Sequence, residues 1–224
     1  MTLSIVGRLA DARMIGIAIA SSSPAVAARC AYARAGVGAV ATQNLTDPSL
    51  GPRILDALAR GEPAAVALDE ALRATPFGAY RQLAVIGRHG PPAVHSGVHA
   101  LGTVGSAHSA HAAAAGNLLA RASVPAAMID AFERATETET LGARLLRALR
   151  AGLDAGGEAG PLHSAGLLVV REVSWPIVDL RVDWSDTDPV AALSSIWDRY
   201  EPQIEDYVQR ALDPASAPGF ERPS

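Results

Sequence analysis

Thr2-Leu3-Ser4-Ile5-Val6 follows Met1 at the head of the chain, and the fold turns on how these five residues are read. Apolar residues interleaved with hydroxyls describe a short inward-facing strand. Threonine is small enough to permit removal of Met1, which would leave Thr2 as the first residue. Its α-amine would then be the base for its own hydroxyl, a nucleophile and base pair able to attack an amide carbonyl without a histidine. The same residues also suit an ordinary strand start, so the rest of the chain has to decide.

Moving outward, residues 3–6 and 14–20 read as two strands joined by the polar segment 7–13, and residues 36–43 as a third strand of small side chains. Asp47-Pro48-Ser49 announces a helix from about 50 to 60, and Gly61-Glu62-Pro63 separates it from a second helix over 64–73. Residues 82–87 and 93–97 form a hairpin around Gly90-Pro91-Pro92. Helical spacing follows over 124–135 and 141–153, then a glycine-rich loop over 154–161, strands over 164–170 and 177–183, and one helix over 189–212. Residues 108–115, made of Ser, His and Ala, carry no period and stay open between loop and helix.

Runs of strands alternating with runs of helices argue for antiparallel sheets covered by helices. The expected architecture is α+β, a four-layer αββα sandwich in one domain over residues 1–212, with a mobile tail over 213–224 rich in Pro and Ala. Hydrophobic residues make up 49% and charged residues 19%, as in a soluble protein with a sizeable core. The net charge of −4 comes without a basic stripe, which argues against a nucleic-acid partner. No apolar run is long enough for a membrane span and no signal-like segment opens the chain, so a cytoplasmic location is expected.

All 19 cationic side chains are arginine. With no lysine, the α-amine is the only amine available for chemistry. Cys30 is the single cysteine and reads as a small core residue. His95, His108, His111 and His163 lack the spacing and carboxylate partners of a zinc site, although His108 and His111 would pair on a helix; neither metal nor cofactor is expected.

Four segments together resemble a known family: 1–6; Arg34-Ala35-Gly36-Val37-Gly38-Ala39-Val40-Ala41-Thr42-Gln43; Asp47-Pro48-Ser49-Leu50-Gly51-Pro52-Arg53; and Val178-Asp179-Leu180-Arg181-Val182-Asp183. They are similar to the prokaryotic family catalogued as domain of unknown function 1028, over residues 1–200. The resemblance implies an N-terminal nucleophile (Ntn) hydrolase-like fold and supplies no substrate. Leu3, Ser22, Thr103, Ala115 and His163 depart from the family's usual residues, and several of these positions are expected to border the cleft.

In Ntn enzymes of the proteasome type a lysine follows the threonine by about thirty residues, and Arg34 stands at similar spacing as a fixed cation. Gln43, Asn44 and Thr46, between a strand end and a helix start, suit an oxyanion hole or, equally, a turn and cap. Asn117 after Gly116 suits a substrate donor or a cap, and Ser164 a support for the amine or a plain strand start. Ser22 completes the expected substrate-binding set. Asp179, Arg181 and Asp183 alternate along one strand face as an ion-pair ladder.

These readings converge on an Ntn-type hydrolase that cleaves an amide bond of a small molecule through Thr2, most simply a homodimer of a bacterial protein. The alternatives are a noncatalytic binding or scaffold protein of the same fold, or a hydrolase using Thr42 or Ser164 with His95 or His163.

Overall fold

The computed structural model describes residues 2–136 and 138–218. Thr2–Arg8 (β1) and Ile15–Ser21 (β2) make the expected hairpin. A short helix, Val26–Cys30 (α1), then leads through Ala31–Arg34 (β3) into Gly38–Asn44 (β4). Leu50–Ala59 (α2) and Ala64–Arg73 (α3) follow, then the hairpin Arg81–Gly87 (β5) and Ala93–Ser96 (β6). Gly105–His108 (β7) and Ala112–Asn117 (β8) precede Val124–Glu133 (α4) and Leu141–Asp154 (α5). Ser164–Val170 (β9), Val178–Val182 (β10), Pro189–Tyr200 (α6) and Ile204–Leu212 (α7) complete the order.

The strands form two antiparallel sheets, ordered β10-β9-β2-β1-β8-β7 and β3-β4-β5-β6. Three apolar clusters mark three interfaces between four layers. Leu3, Ile5, Ala18, Ala114 and Leu167 meet Met128, Phe132, Leu145 and Leu149 of α4 and α5, with Leu193 and Trp197 of α6. Val6, Ile15, Ile17, Ala39, Ala41, Ala84 and Ile86 fill the space between the sheets. Val40, Leu83 and Val85 pack on Leu50, Ile54, Leu58 and Leu68 of α2 and α3. Each such buried Leu or Ile stabilises the fold by about 1.5–3 kcal/mol. The result is the αββα sandwich, α+β in class.

The middle layer is thin because many of its side chains are alanine, which lets the sheets approach closely. On the other face of β4, toward α2, Gly38 allows an equally close approach: an added Cβ would collide with the Ile86 carbonyl oxygen of the neighbouring strand and with Leu58. At one end of the sandwich the buried Arg8 guanidinium crosses from β1 to the other sheet's β5–β6 hairpin, donating to the carbonyl oxygens of Gly87 at 2.6 Å and Gly90 at 2.7 Å, and to Ala110 at 3.0 Å.

Three expectations give way. The open segment 108–115 holds the end of β7, a turn and most of β8; its Ala residues are poor strand formers, and pairing with the central strand β1 overrides propensity. His108 and His111 therefore lie on a strand and a turn, not one helix. The stretch 189–212 is two helices, broken over Glu201–Gln203, where Pro202 supplies no N–H. Helix α1 and strand β3, inside the alanine-rich segment 25–35, had no period to show. Of the tail, 219–224 lie outside the described residues, while Gln209 Nε2 donates to the Ser216 carbonyl oxygen at 3.1 Å. No described helix is long and apolar enough to cross a membrane.

Candidate active site

Alternation along β1 sends Leu3 and Ile5 to the helices and Ser4 and Val6 between the sheets, so Thr2 also faces the inter-sheet layer. Strand register sets Thr2 opposite both Ser21 and Asn117, and Ser21 opposite Ser164. The order Ser164-Ser21-Thr2-Asn117 is one polar row across the sheet. Facing it on the second sheet, Gln43 lies opposite Gln82 and Gln82 opposite Ser96. All of these except Ser96 are buried.

Hydrogen bonds join the rows. Ser4 Oγ donates to Gln43 Oε1 at 2.6 Å. Gln82 Oε1 accepts from Gln43 Nε2 at 2.8 Å and from Asn117 Nδ2 at 3.0 Å. Gln43 Nε2 also donates to the Ala115 carbonyl oxygen, and Gln82 Nε2 to Gly116 O and Ser96 Oγ. Both amide hydrogens of Gln43 are thus spent on structure, and the side chain expected to serve an oxyanion instead clamps the sheets. Asn117 keeps a second amide hydrogen, and its Oδ1 is buried without a hydrogen-bond partner among the described residues. Thr2 Oγ1 lies 3.2 Å from Ser21 Oγ, which accepts from the Ser23 N–H at 3.1 Å.

Glu158 is the residue that sequence reasoning missed. It is 7% exposed, and its Oε2 accepts from the Ser22 N–H at 3.3 Å. A bridge between Leu119 and Glu158 and the bonds Ala120 N to Gly157 O and Ala159 N to Leu118 O stitch its loop to the end of β8. Gly156 and Gly157, at φ +122° and +57°, make the turn that brings it there, and Leu118 tolerates φ +51° at the same junction. Burial pushes the carboxyl up to about 7, against the opposing pull of the positive amino terminus and the Ser22 hydrogen bond. Oε1 is buried without a hydrogen-bond partner among the described residues. The only signal in the sequence was an acid set among the glycines of the loop over 154–161.

The expected site residues divide. Thr2, Gln43, Asn117 and Ser164 share the polar end. Ser164 Oγ donates to Ser23 O at 2.6 Å and accepts from Val26 N at 3.2 Å, fastening the turn into α1. Ser22 offers its backbone N–H to Glu158. Asn44 sits on the rim at φ +70°, its Nδ2 donating to Tyr80 O and its Oδ1 accepting from Leu101 N at 3.1 Å. Thr46 Oγ1 donates back to the Thr42 carbonyl oxygen at 3.3 Å, beside Cys30 Sγ, and does not cap the following helix, whose N-cap is Ser49.

Arg34 lies elsewhere. It pairs with Gly38, at the opposite end of β4 from Gln43, roughly 15 Å along the strand, and binds Asp56 at 2.8 Å on the surface. The His-assisted alternative also loses its geometry. Thr42 and His95 sit two strands apart with Leu83 between them, roughly 10 Å, on the face toward α2 and α3. His163 Nδ1 contacts Ser185 O at 2.8 Å, and its ring stacks on Trp184. Leu3, one of the departures from the family pattern, packs into the helix interface and not the cleft.

A cavity of about 490 Å³ adjoins Glu158, lined also by Arg150, Asp154, Leu162 and Asp188. It opens between the C-terminal end of α5 and the starts of β9 and α6, on the helix side of the sheet. Arg150 within it is held by Asp188 at 2.7 Å.

Fold and site together define an α+β αββα sandwich whose polar end gathers around the first residues of a central strand. The chain belongs to the family of unknown function DUF1028, whose model matches residues 2–193. A crystal structure of a protein of that family from Silicibacter pomeroyi is 29% identical, with a TM-score of 0.82 over 92% of this chain and 94% of that one. Two Anbu structures are more distant. Anbu (ancestral beta-subunit) from Yersinia bercovieri is 14% identical with a TM-score of 0.42 over 98% of this chain and 100% of that one. A Gly-1 mutant of Anbu from Hyphomicrobium sp. strain MC1 is 11% identical with a TM-score of 0.46 over 93% and 100%. No curated protein matches the chain.

Proposed function

We propose that the protein is an Ntn-type hydrolase that cleaves an amide bond of a small molecule through Thr2 once Met1 has been removed. One observation carries this reading: Thr2 Oγ1 stands in a buried polar row, 3.2 Å from Ser21 Oγ and opposite Asn117, which among the described residues retains an unused amide hydrogen and an unpartnered acceptor. In the reaction Thr2 Oγ bonds to the carbonyl carbon while its proton passes to the α-amine. The ammonium returns that proton to the leaving nitrogen as the C–N bond breaks, and water then cleaves the acyl ester. Asn117 Nδ2 donates to the substrate oxygen.

The test is intact-mass spectrometry of untagged protein from its native host, followed by a screen of small amides for an acyl adduct. A mass without Met1 and an adduct abolished by Thr2→Ala uphold the reading; a fully retained Met1 refutes it. The noncatalytic alternative, a binding or scaffold role, is favoured by the 6% exposure of Thr2, which leaves its side chain little open surface. The same reading takes the protein as a cytoplasmic homodimer without metal or cofactor. Exposed Phe77, Tyr80, Val98 and Leu101, on the loops tied by Asn44, offer apolar surface for a two-fold contact, and light scattering checks the mass.

A further inference from the structure

We propose that Glu158 is the positioning residue of the N-terminal nucleophile: its carboxylate holds the α-amine of Thr2 at the end of β1, beside the hydroxyl that the amine deprotonates. The inference rests on the proposed use of Thr2 and adds the group that orients its amine.

Both strands that flank β1 lead to Glu158. On β2, Ser21 lies opposite Thr2, and the N–H of the next residue, Ser22, donates to Glu158 Oε2 at 3.3 Å. On β8, Asn117 lies opposite Thr2, and Leu119, two residues further, bridges to Glu158 itself. The carboxylate therefore sits across the line on which β1 would continue toward the N-terminus. Its other oxygen, Oε1, is buried with no hydrogen-bond partner among the described residues, and a buried carboxylate oxygen left so is costly unless a donor or cation meets it. Arg150, Asp154 and Asp188 line the adjoining cavity, and the one cation among them is already bound to Asp188. The chain contains no lysine, so the α-amine is the only amine that can fill the role.

The chemistry follows from charge. When Thr2 Oγ bonds to the substrate carbonyl carbon, its proton moves to the amine, and the ammonium so formed lies against a carboxylate. That contact favours the protonated amine and makes it a stronger base. The proton then leaves with the departing nitrogen, and the carboxylate is unchanged over the cycle.

Absence of lysine also supplies the assay. Acetic anhydride at limiting concentration acetylates one amine in this chain, and intact mass reads the extent at each pH. The protein is made with Thr2 first by cleaving an N-terminal fusion, so the result does not depend on whether the host removes Met1. The amine of the wild-type chain is expected to titrate at least about one pH unit above that of Glu158→Gln, with Glu158→Asp restoring most of the difference. Equal titration in wild type and Glu158→Gln overturns the proposal. If Glu158→Gln does not fold, the wild-type chain answers alone: with ¹³C-labelled glutamate, complete acetylation of the amine must raise the Glu158 carboxyl pKa, and an unmoved carboxyl overturns the proposal. An acyl adduct on Thr2 with an unmoved amine would sink this inference and leave the hydrolase reading standing; a coupled amine in a protein that always keeps Met1 would overturn both, leaving Glu158 as a partner of an amine that takes no part in catalysis.

Discussion

Glu158→Gln is expected to make the protein more stable above neutral pH. In the folded chain the carboxyl titrates at about 7, against an ordinary 4.5, because burial disfavours its charge. Between those two values the folded state binds more protons than the unfolded state, so stability falls as pH rises through the window and the loss is complete above about 7. A displacement of about 2.5 units corresponds to about 3 kcal/mol. Glutamine keeps an oxygen for the Ser22 N–H and removes the charge. The difference in unfolding free energy, variant minus wild type, should therefore climb by about 3 kcal/mol between pH 4.5 and 8, or about 6–12 °C in melting temperature for a chain of this size. Chemical denaturation at half-unit pH steps measures it, and the subtraction cancels the six histidines common to both proteins. A flat difference curve, or one that falls with pH, would refute the burial argument.

Other outcomes follow from single contacts. Gln82→Leu strands the buried amides of Gln43 and Asn117 together and should cost about 2–5 kcal/mol in urea unfolding, far more than Ser96→Ala at the edge of the same network. Gly38→Ala should cost about 1–3 kcal/mol by thermal unfolding, because the new methyl meets the Ile86 carbonyl between two packed layers. Arg34→Ala breaks an exposed pair with Asp56 and should cost under about 1 kcal/mol, with the yield of any Thr2 adduct unchanged.

The layers could be read in the sequence wherever one face of an element was apolar and the other was not. Helices α2, α3 and α5 carry that period and stand where expected, as does the β1–β2 hairpin. Strand β8 could not be read, since Ala112–Asn117 is four alanines, a glycine and an asparagine, and only the neighbouring β1 makes it a strand. The same divide runs through the site. Thr2, Gln43 and Asn117 are visible because strand ends near turns are places where polar side chains gather. Arg34 was placed by counting residues, and counting cannot see that the chain doubles back at Gly36, carrying it to the far end of the sheet. Glu158 owes its position to pairing between two loops, and no local pattern encodes that.

The sandwich is bolted at both ends. Arg8 rivets the sheets together at one end and the Ser4, Gln43, Gln82 and Asn117 network does so at the other, so sliding or hinging of one sheet on the other would break hydrogen bonds at both ends. On the proposed reading a substrate would reach Thr2 from the end of β1 and not through the layers, and Asn44, at the end of the neighbouring β4, ties down the loops at Tyr80 and Leu101. The proposal therefore expects that swapping those loops between relatives changes the size of amide accepted while the layers stay as they are.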